Sequence, residues 1–135
     1  MSARPIADHA LLSDCHSSAL VDRDGSVEWL TFPRFDSPSV MARLLDDDRG
    51  GHWAIAPVGE YQTTRRYLDE TLVLETTFTT DSGSLLLTDA LAMGPDNTGH
   101  SLGKNVPHLL VRALTCTCNR RHRSRKVSLS RESTM

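Results

Sequence analysis

The chemistry-bearing residues of this chain fall into a few short segments. The richest is Trp29-Leu30-Thr31-Phe32-Pro33-Arg34-Phe35-Asp36-Ser37-Pro38. A planar ring beside a guanidinium and a carboxylate is a useful set for sugars. The ring stacks on an apolar sugar face while the charged groups hydrogen-bond hydroxyls. Arg34, Phe35 and Asp36 are therefore the candidate sugar-contacting residues. The same residues can instead pair Arg34 with Asp36 and use the rings as packing. On chemistry alone packing is favoured, because aromatic side chains serve mostly to fill cores.

Other patterns carry less. Gly99-His100-Ser101-Leu102-Gly103 has the G-x-S-x-G spacing of a nucleophile elbow. That motif needs a strand turning sharply into a helix, whereas a loop rich in Pro, Gly and Asn precedes it here and Lys104-Asn105-Val106-Pro107 follows. Cys116-Thr117-Cys118 with His122 supplies only three candidate ligands, beside cationic side chains, where a structural zinc site takes four. Asp46-Asp47-Asp48 is followed by Pro57 where a calcium loop requires an acidic group, so a solvated turn is expected. No metal site, no cofactor and no catalytic residue is assigned. The run Arg120-Arg121-His122-Arg123-Ser124-Arg125-Lys126 can meet phosphates electrostatically, but it lacks the aromatics that stack on bases. Nucleic-acid contact beyond non-specific attraction is not expected.

These residues must be positioned by a small, mostly β scaffold. The chain has 135 residues, 39% of them hydrophobic and 24% charged, which suits one globular domain; taken as a whole the chain is neither a disordered tail nor a membrane protein. No apolar run approaches the roughly 20 residues of a membrane helix, and the N-terminus lacks a signal-peptide stretch. Three cysteines argue against a disulfide framework and for the cytoplasm.

The strand-like runs Ser18-Ala19-Leu20-Val21 and Val27-Glu28-Trp29-Leu30-Thr31-Phe32 flank Asp22-Arg23-Asp24-Gly25-Ser26. Asp-Gly marks a tight hairpin there. Ser37 and Pro38 read as cap and first position of a short helix over residues 39–45, with Val40, Met41, Leu44 and Leu45 as its apolar stripe. Further strands are expected over 52–56, 60–68, 71–80, 84–91 and 106–116. In the clearest, Leu72, Leu74 and Phe78 face one way while Glu75, Thr77 and Thr79 face the other. Residues 93–107 read as a loop. The fold class is mainly β, a partial antiparallel β-sandwich with one short helix. Residues 1–117 form the domain and 118–135 a basic, disordered tail.

The residues in order also resemble a known family. Pro5-Ile6-Ala7-Asp8-His9-Ala10-Leu11-Leu12-Ser13-Asp14-Cys15 leads into Ser18-Ala19-Leu20-Val21-Asp22-Arg23-Asp24-Gly25-Ser26-Val27-Glu28-Trp29-Leu30, then Pro33-Arg34-Phe35-Asp36-Ser37-Pro38 and Leu44-Leu45-Asp46. Thr64-Arg65-Arg66-Tyr67-Leu68, Thr71-Leu72-Val73-Leu74-Glu75-Thr76 and Thr88-Asp89-Ala90-Leu91 extend the likeness. Over about residues 4–115 the chain resembles the trehalase-like N-terminal domain of bacterial glycoside hydrolase family 15, the glucoamylase and trehalase group.

The resemblance implies a β-sandwich that precedes an α/α-barrel hydrolysing α-glucosides with inversion, through two glutamates of the barrel. It places the substrate with that barrel, which is absent here. Glu28, Glu60, Glu70 and Glu75 match no catalytic motif, so the chain alone is expected to be inactive. The Arg34-Phe35-Asp36 loop would lie at the rim of the substrate site. Two further readings stand beside this one: a free-standing carbohydrate-binding β module and a basic-tailed nucleic-acid-binding protein.

The likeness stops where the composition changes. Residues 116–135 carry a net charge of +5 and the remainder −7. The reading is a truncated domain whose residues after about Thr117 are translated out of frame; the rival account is a basic tail evolved for a purpose. Truncation would leave the last strand with an unpaired edge and apolar surface exposed, hence marginal solubility and little folding cooperativity.

Overall fold

The structure is a computed structural model, and it describes residues 4–95 and 98–119. Among the described residues, nine strands form two antiparallel sheets. In the first, β1 (Ala10–Ser13), β2 (Ser18–Val21) and β3 (Ser26–Thr31) lie side by side. The far edge of β3 is shared by two short strands, β4 (Ser39–Met41) and β5 (Trp53–Ala54). In the second, β6 (Gln62–Tyr67), β7 (Leu74–Thr80), β8 (Gly83–Leu91) and β9 (Leu110–Cys118) follow one another as a meander.

The hairpin between β2 and β3 forms where Asp-Gly foretells it. Gly25 has φ +72°, and a Cβ there would stand 2.5 Å from the Ile55 carbonyl oxygen. Both the left-handed backbone and the close approach require glycine. The buried Asp22 carboxylate fastens the turn: its Oδ1 accepts the N–H of Asp24 at 2.9 Å and of Ser26 at 2.8 Å. Burial pushes this carboxyl above its ordinary range, partly offset by the Ser26 N–H.

The expected helix over 39–45 is not formed. Residues 39–41 are strand β4, pairing Met41 with Leu30 and Ser39 with Thr31. The Leu44 N–H then donates to the Glu28 carbonyl at 3.1 Å, and the Ala42 N–H to Gly50 at 2.7 Å. Of the expected helical stripe, Val40 and Leu45 are exposed, while Met41 packs against the core from its place in the strand. A helix of two turns is marginal without packing, whereas β3 offers a row of backbone groups that must be satisfied. The described residues carry only three-residue 3-10 turns, at Ile6–Asp8 and Gly99–Ser101. Strand β1 has no counterpart among the expected strands.

The sheets pack face to face. One cluster joins Ala10, Leu12, Ala19, Val21, Val27 and Leu30 of the first sheet to Leu74 and Leu91 of the second. A smaller one gathers Ile55, Phe78, Leu85 and Leu87. On β7 the inward row is Leu74, Thr76 and Phe78; Leu72 precedes the strand and is exposed. On β8 it is Leu85, Leu87, Asp89 and Leu91. Asp89 is admitted because Arg112 of β9 pairs with it, Nε to Oδ1 at 2.7 Å and Nη2 to Oδ2 at 3.2 Å, both side chains fully buried. The same guanidinium donates to the carbonyls of Trp53 (2.6 Å) and Gly25 (2.7 Å) and stacks 5.0 Å from the Trp53 ring centroid. One arginine thus ties the last strand to the first sheet. Burial still holds the Asp89 carboxyl above its ordinary range against the pull of Arg112.

Candidate functional site

One end of the sandwich is built from three connections: residues 14–17 after β1, 32–38 after β3, and 92–109 between β8 and β9. Side chains join them. Ser17 Oγ donates to the Thr31 carbonyl, and His16 Nε2 lies 2.6 Å from the Gly103 carbonyl. Gly103, at φ +81°, fits because a Cβ there would meet the Cys15 Cβ at 2.9 Å.

The first connection turns on Asp14, fully buried. Its Oδ1 accepts the N–H of His16 at 2.9 Å and of Ser17 at 2.7 Å, a side-chain-closed turn typical of Asp. Its Oδ2 faces His108 Nδ1 at 3.7 Å. The rings of His16 and His108 meet edge to face, 5.8 Å between centroids. Nothing in the spacing of Asp14, His16 and His108 announces this grouping, since His108 arrives from the far end of the chain; only the Asp-x-x-Ser turn is visible locally.

The second connection carries the expected rim residues. Arg34 and Asp36 form a two-pronged pair, Nε to Oδ1 at 2.9 Å and Nη2 to Oδ2 at 2.8 Å. Both stand in solvent, 68% and 70% exposed. Ser37 closes the loop, its Oγ accepting the Arg34 N–H at 3.1 Å and its N–H donating to the Arg34 carbonyl at 3.1 Å. Phe35 is 57% exposed, while Phe32 packs on the core. The structure therefore separates the aromatics of this segment: Phe32 fills the interior and Phe35 projects. The fork leaves three guanidinium N–H groups and several carboxylate lone pairs unused. An exposed pair of this kind is worth about 0–1 kcal/mol, so opening it costs little.

The remaining motifs resolve into structure. Ser101 lies in a 3-10 turn preceded by extended Thr98, not between a strand and a helix, so the elbow context is missing. Cys15, Cys116 and Cys118 are unpaired and exposed. His122 and the basic run lie outside the described residues. Among the described residues no group of three His, Cys, Asp or Glu side chains could hold a metal ion. Asp46 Oδ1 accepts the N–H groups of Asp48 and Arg49 at 3.1 and 3.0 Å, and Asp47 pairs with Arg43, which lowers its carboxyl pKa. Buried Glu28 is held by His9 Nε2 at 3.0 Å and faces Arg43 at 3.8 Å; Glu75 pairs with Arg66.

Comparison with known proteins adds what geometry cannot. Residues 1–116 match the family described as trehalase-like, N-terminal. A trehalase of Mycolicibacterium smegmatis is 44% identical over 123 residues, covering 83% of this chain and 18% of that protein. A trehalase of Mycobacterium tuberculosis is 48% identical over 91 residues, 67% of this chain and 13% of the relative. Trehalase 2 of Sulfolobus acidocaldarius is 41% identical over 86 residues, 64% and 14% respectively. The chain thus spans less than a fifth of the length of these relatives. No solved structure matches significantly.

Proposed function

The chain belongs to the family of trehalase-like N-terminal domains, and from that premise we propose that it is the N-terminal β-sandwich part of a family 15 glycoside hydrolase that cleaves α-glucosides such as trehalose, in carbohydrate metabolism. By itself it is non-catalytic. Inverting hydrolysis needs two carboxyl groups roughly 6.5–9.5 Å apart, one to protonate the leaving oxygen and one to activate water. Here Glu28 is committed to His9 and Glu75 to Arg66. The relatives named trehalases are more than five times as long as the matched part, so the acid and base belong to the portion this chain does not contain.

The role left to the domain is to support that portion and to lend it the loop of Arg34, Phe35 and Asp36. The observation that carries this reading is the exposed Phe35 ring beside the paired, solvent-facing Arg34 and Asp36. A ring presents a stacking face and the fork presents coplanar donors and acceptors to neighbouring hydroxyls. The protein works in the cytoplasm, a reading supported by its three unpaired cysteines. No helix of the described residues is long and apolar enough to cross a membrane.

Two measurements test the proposal. The 135-residue chain should release no glucose from trehalose or maltose; release would overturn the assignment of catalysis elsewhere. In a trehalase relative carrying this loop, Arg→Ala at the position of Arg34 should raise KM about tenfold, the loss of one charged hydrogen bond. An unchanged KM and rate would remove the loop from the substrate site. Calorimetric titration of the chain itself with both sugars separates this reading from a free-standing carbohydrate-binding module, which would give heat.

A further inference from the structure

The connection between β8 and β9 meets the connection after β1 at two points, and each is an imidazole. His16 Nε2 lies 2.6 Å from the Gly103 carbonyl. A carbonyl accepts and cannot donate, so Nε2 carries the proton of that bond. Further along, His108 Nδ1 stands 3.7 Å from Asp14 Oδ2. That separation is too long for a hydrogen bond. Asp14 Oδ2 is buried and, among the described residues, has no hydrogen-bond partner. Oδ1 of the same carboxylate holds the N–H groups of His16 and Ser17. A buried acceptor left unpaired carries a penalty, and the group placed to relieve it is His108.

Residues 103–108 form a strap between these two points. Its backbone is left-handed at Gly103 (φ +81°), Asn105 (φ +56°) and His108 (φ +50°). Two of the three are not glycine, and such backbone persists where contacts hold it. The strap borders a cleft of about 560 Å³ lined by His16, Leu102, Gly103, Lys104, Asn105 and His108. The connection after β1 sets the Asp14 carboxylate and the His16 ring against His108, the rings edge to face at 5.8 Å. Cys15, the other titratable group there, lies against Gly103. On the strap itself Lys104 lines the same cleft. The connection after β3 pairs its charges, Arg34 and Asp36, with each other. Among the described residues, Asp14 is the negative charge that faces His108.

We propose that residues 103–108 are a pH-operated strap, closed when a protonated His108 pairs with Asp14 and loosened when His108 gives up that proton. An imidazole exchanges its second proton near pH 6.5. With that proton on, both ring nitrogens donate, and a movement of about 1 Å brings Nδ1 to Asp14 Oδ2 as a charged hydrogen bond. With it off, a neutral ring is drawn to the carboxylate far less. Closure belongs to the first proton on the two imidazoles. A second, on His16, sets two cations side by side on one carboxylate, with Lys104 on the same cleft, and opposes closure. The cleft is therefore tightest in mild acid and opens as pH rises. The inference does not rest on the functional proposal above.

Hydrogen exchange of the full 135-residue chain, corrected for intrinsic exchange rates, tests it. The Leu102 and Lys104 N–H groups bond within the connection, to the carbonyls of Gly99 and Ser101. They should exchange about tenfold more slowly at about pH 6 than at about pH 8, the effect of one charged hydrogen bond. The amides of β3 are the reference and should show no such change. His108→Gln keeps a neutral donor that does not titrate, and it should flatten the profile while far-UV circular dichroism stays native. Asp14→Asn should flatten it too; His108→Gln decides the matter if the Asp14 variant misfolds, since Asp14 also closes its own turn. A wild-type profile that is flat, one that β3 shares, or one that survives His108→Gln would each overturn the proposal.

Discussion

Strands β3 and β9 have similar apolar content but opposite fates. On β3, Ser26, Val27, Glu28, Leu30 and Thr31 are all buried. On β9, all but Leu110 and Arg112 are exposed, although the strand is half as long again. The difference lies in what surrounds each. Strand β3 has β2 on one side, β4 and β5 on the other, and the second sheet over its face. Strand β9 has β8 on one side and, among the described residues, only Leu110 and Arg112 fastened to the core beneath it. Burial is a property of neighbours, and the same kind of sequence is core or surface according to what the rest of the chain supplies.

The comparison is broken most severely by removing the anchor. Arg112→Ala leaves the Asp89 carboxylate buried without its partner and frees the carbonyls of Gly25 and Trp53. It should cost about 3–5 kcal/mol, read from urea denaturation; a cost below about 1 kcal/mol would mean that β9 is not held by this residue. Next comes the core of β3 itself. Leu30→Ala should cost about 2–4 kcal/mol, because the cavity lies between two packed sheets. Its counterpart Val111→Ala, on the exposed face of β9, should cost about 0.5 kcal/mol or less. Equal costs would erase the distinction between the two strands.

The smallest effect sharpens the comparison at the turn that starts β3. Burial raises the folded-state pKa of Asp22 above its ordinary 3.8. As pH falls, the folded chain therefore takes up a proton before the unfolded chain does, and this group adds stability. That contribution is complete below 3.8 and is lost as pH rises through the raised value. Asp22→Asn keeps the Oδ1 acceptor and should change little at neutral pH. Wild type should then gain on the variant as acid is added through that window. A difference constant with pH would show that Asp22 does not titrate differently in the fold.

The hairpin of β2 and β3 was legible because its signal is local: Asp-Gly at a site where glycine alone fits. The alternation of β7 is legible for the same reason, side chains on a strand alternating whatever lies above them. The segment 39–45 departs from the expected helix because its apolar spacing suits a helix in isolation, while the free edge of β3 offers backbone partners that the spacing does not record. In the connection after β3, Arg34, Phe35 and Asp36 are legible as a set through residue type. Which ring projects and which packs was not, since Phe32 and Phe35 are equally aromatic and differ only in the core beneath them.

By itself the sequence determined the fold class, the turns that need a particular residue, and membership of a family read from many matched positions in order. These depend on short-range chemistry or on the whole string at once. Only the tertiary structure decided that Asp89 and Arg112 share a buried pair and that His108 comes to Asp14. Each of these joins residues far apart in the chain, and their separation in space is fixed by how the sheets stack rather than by any spacing along the backbone.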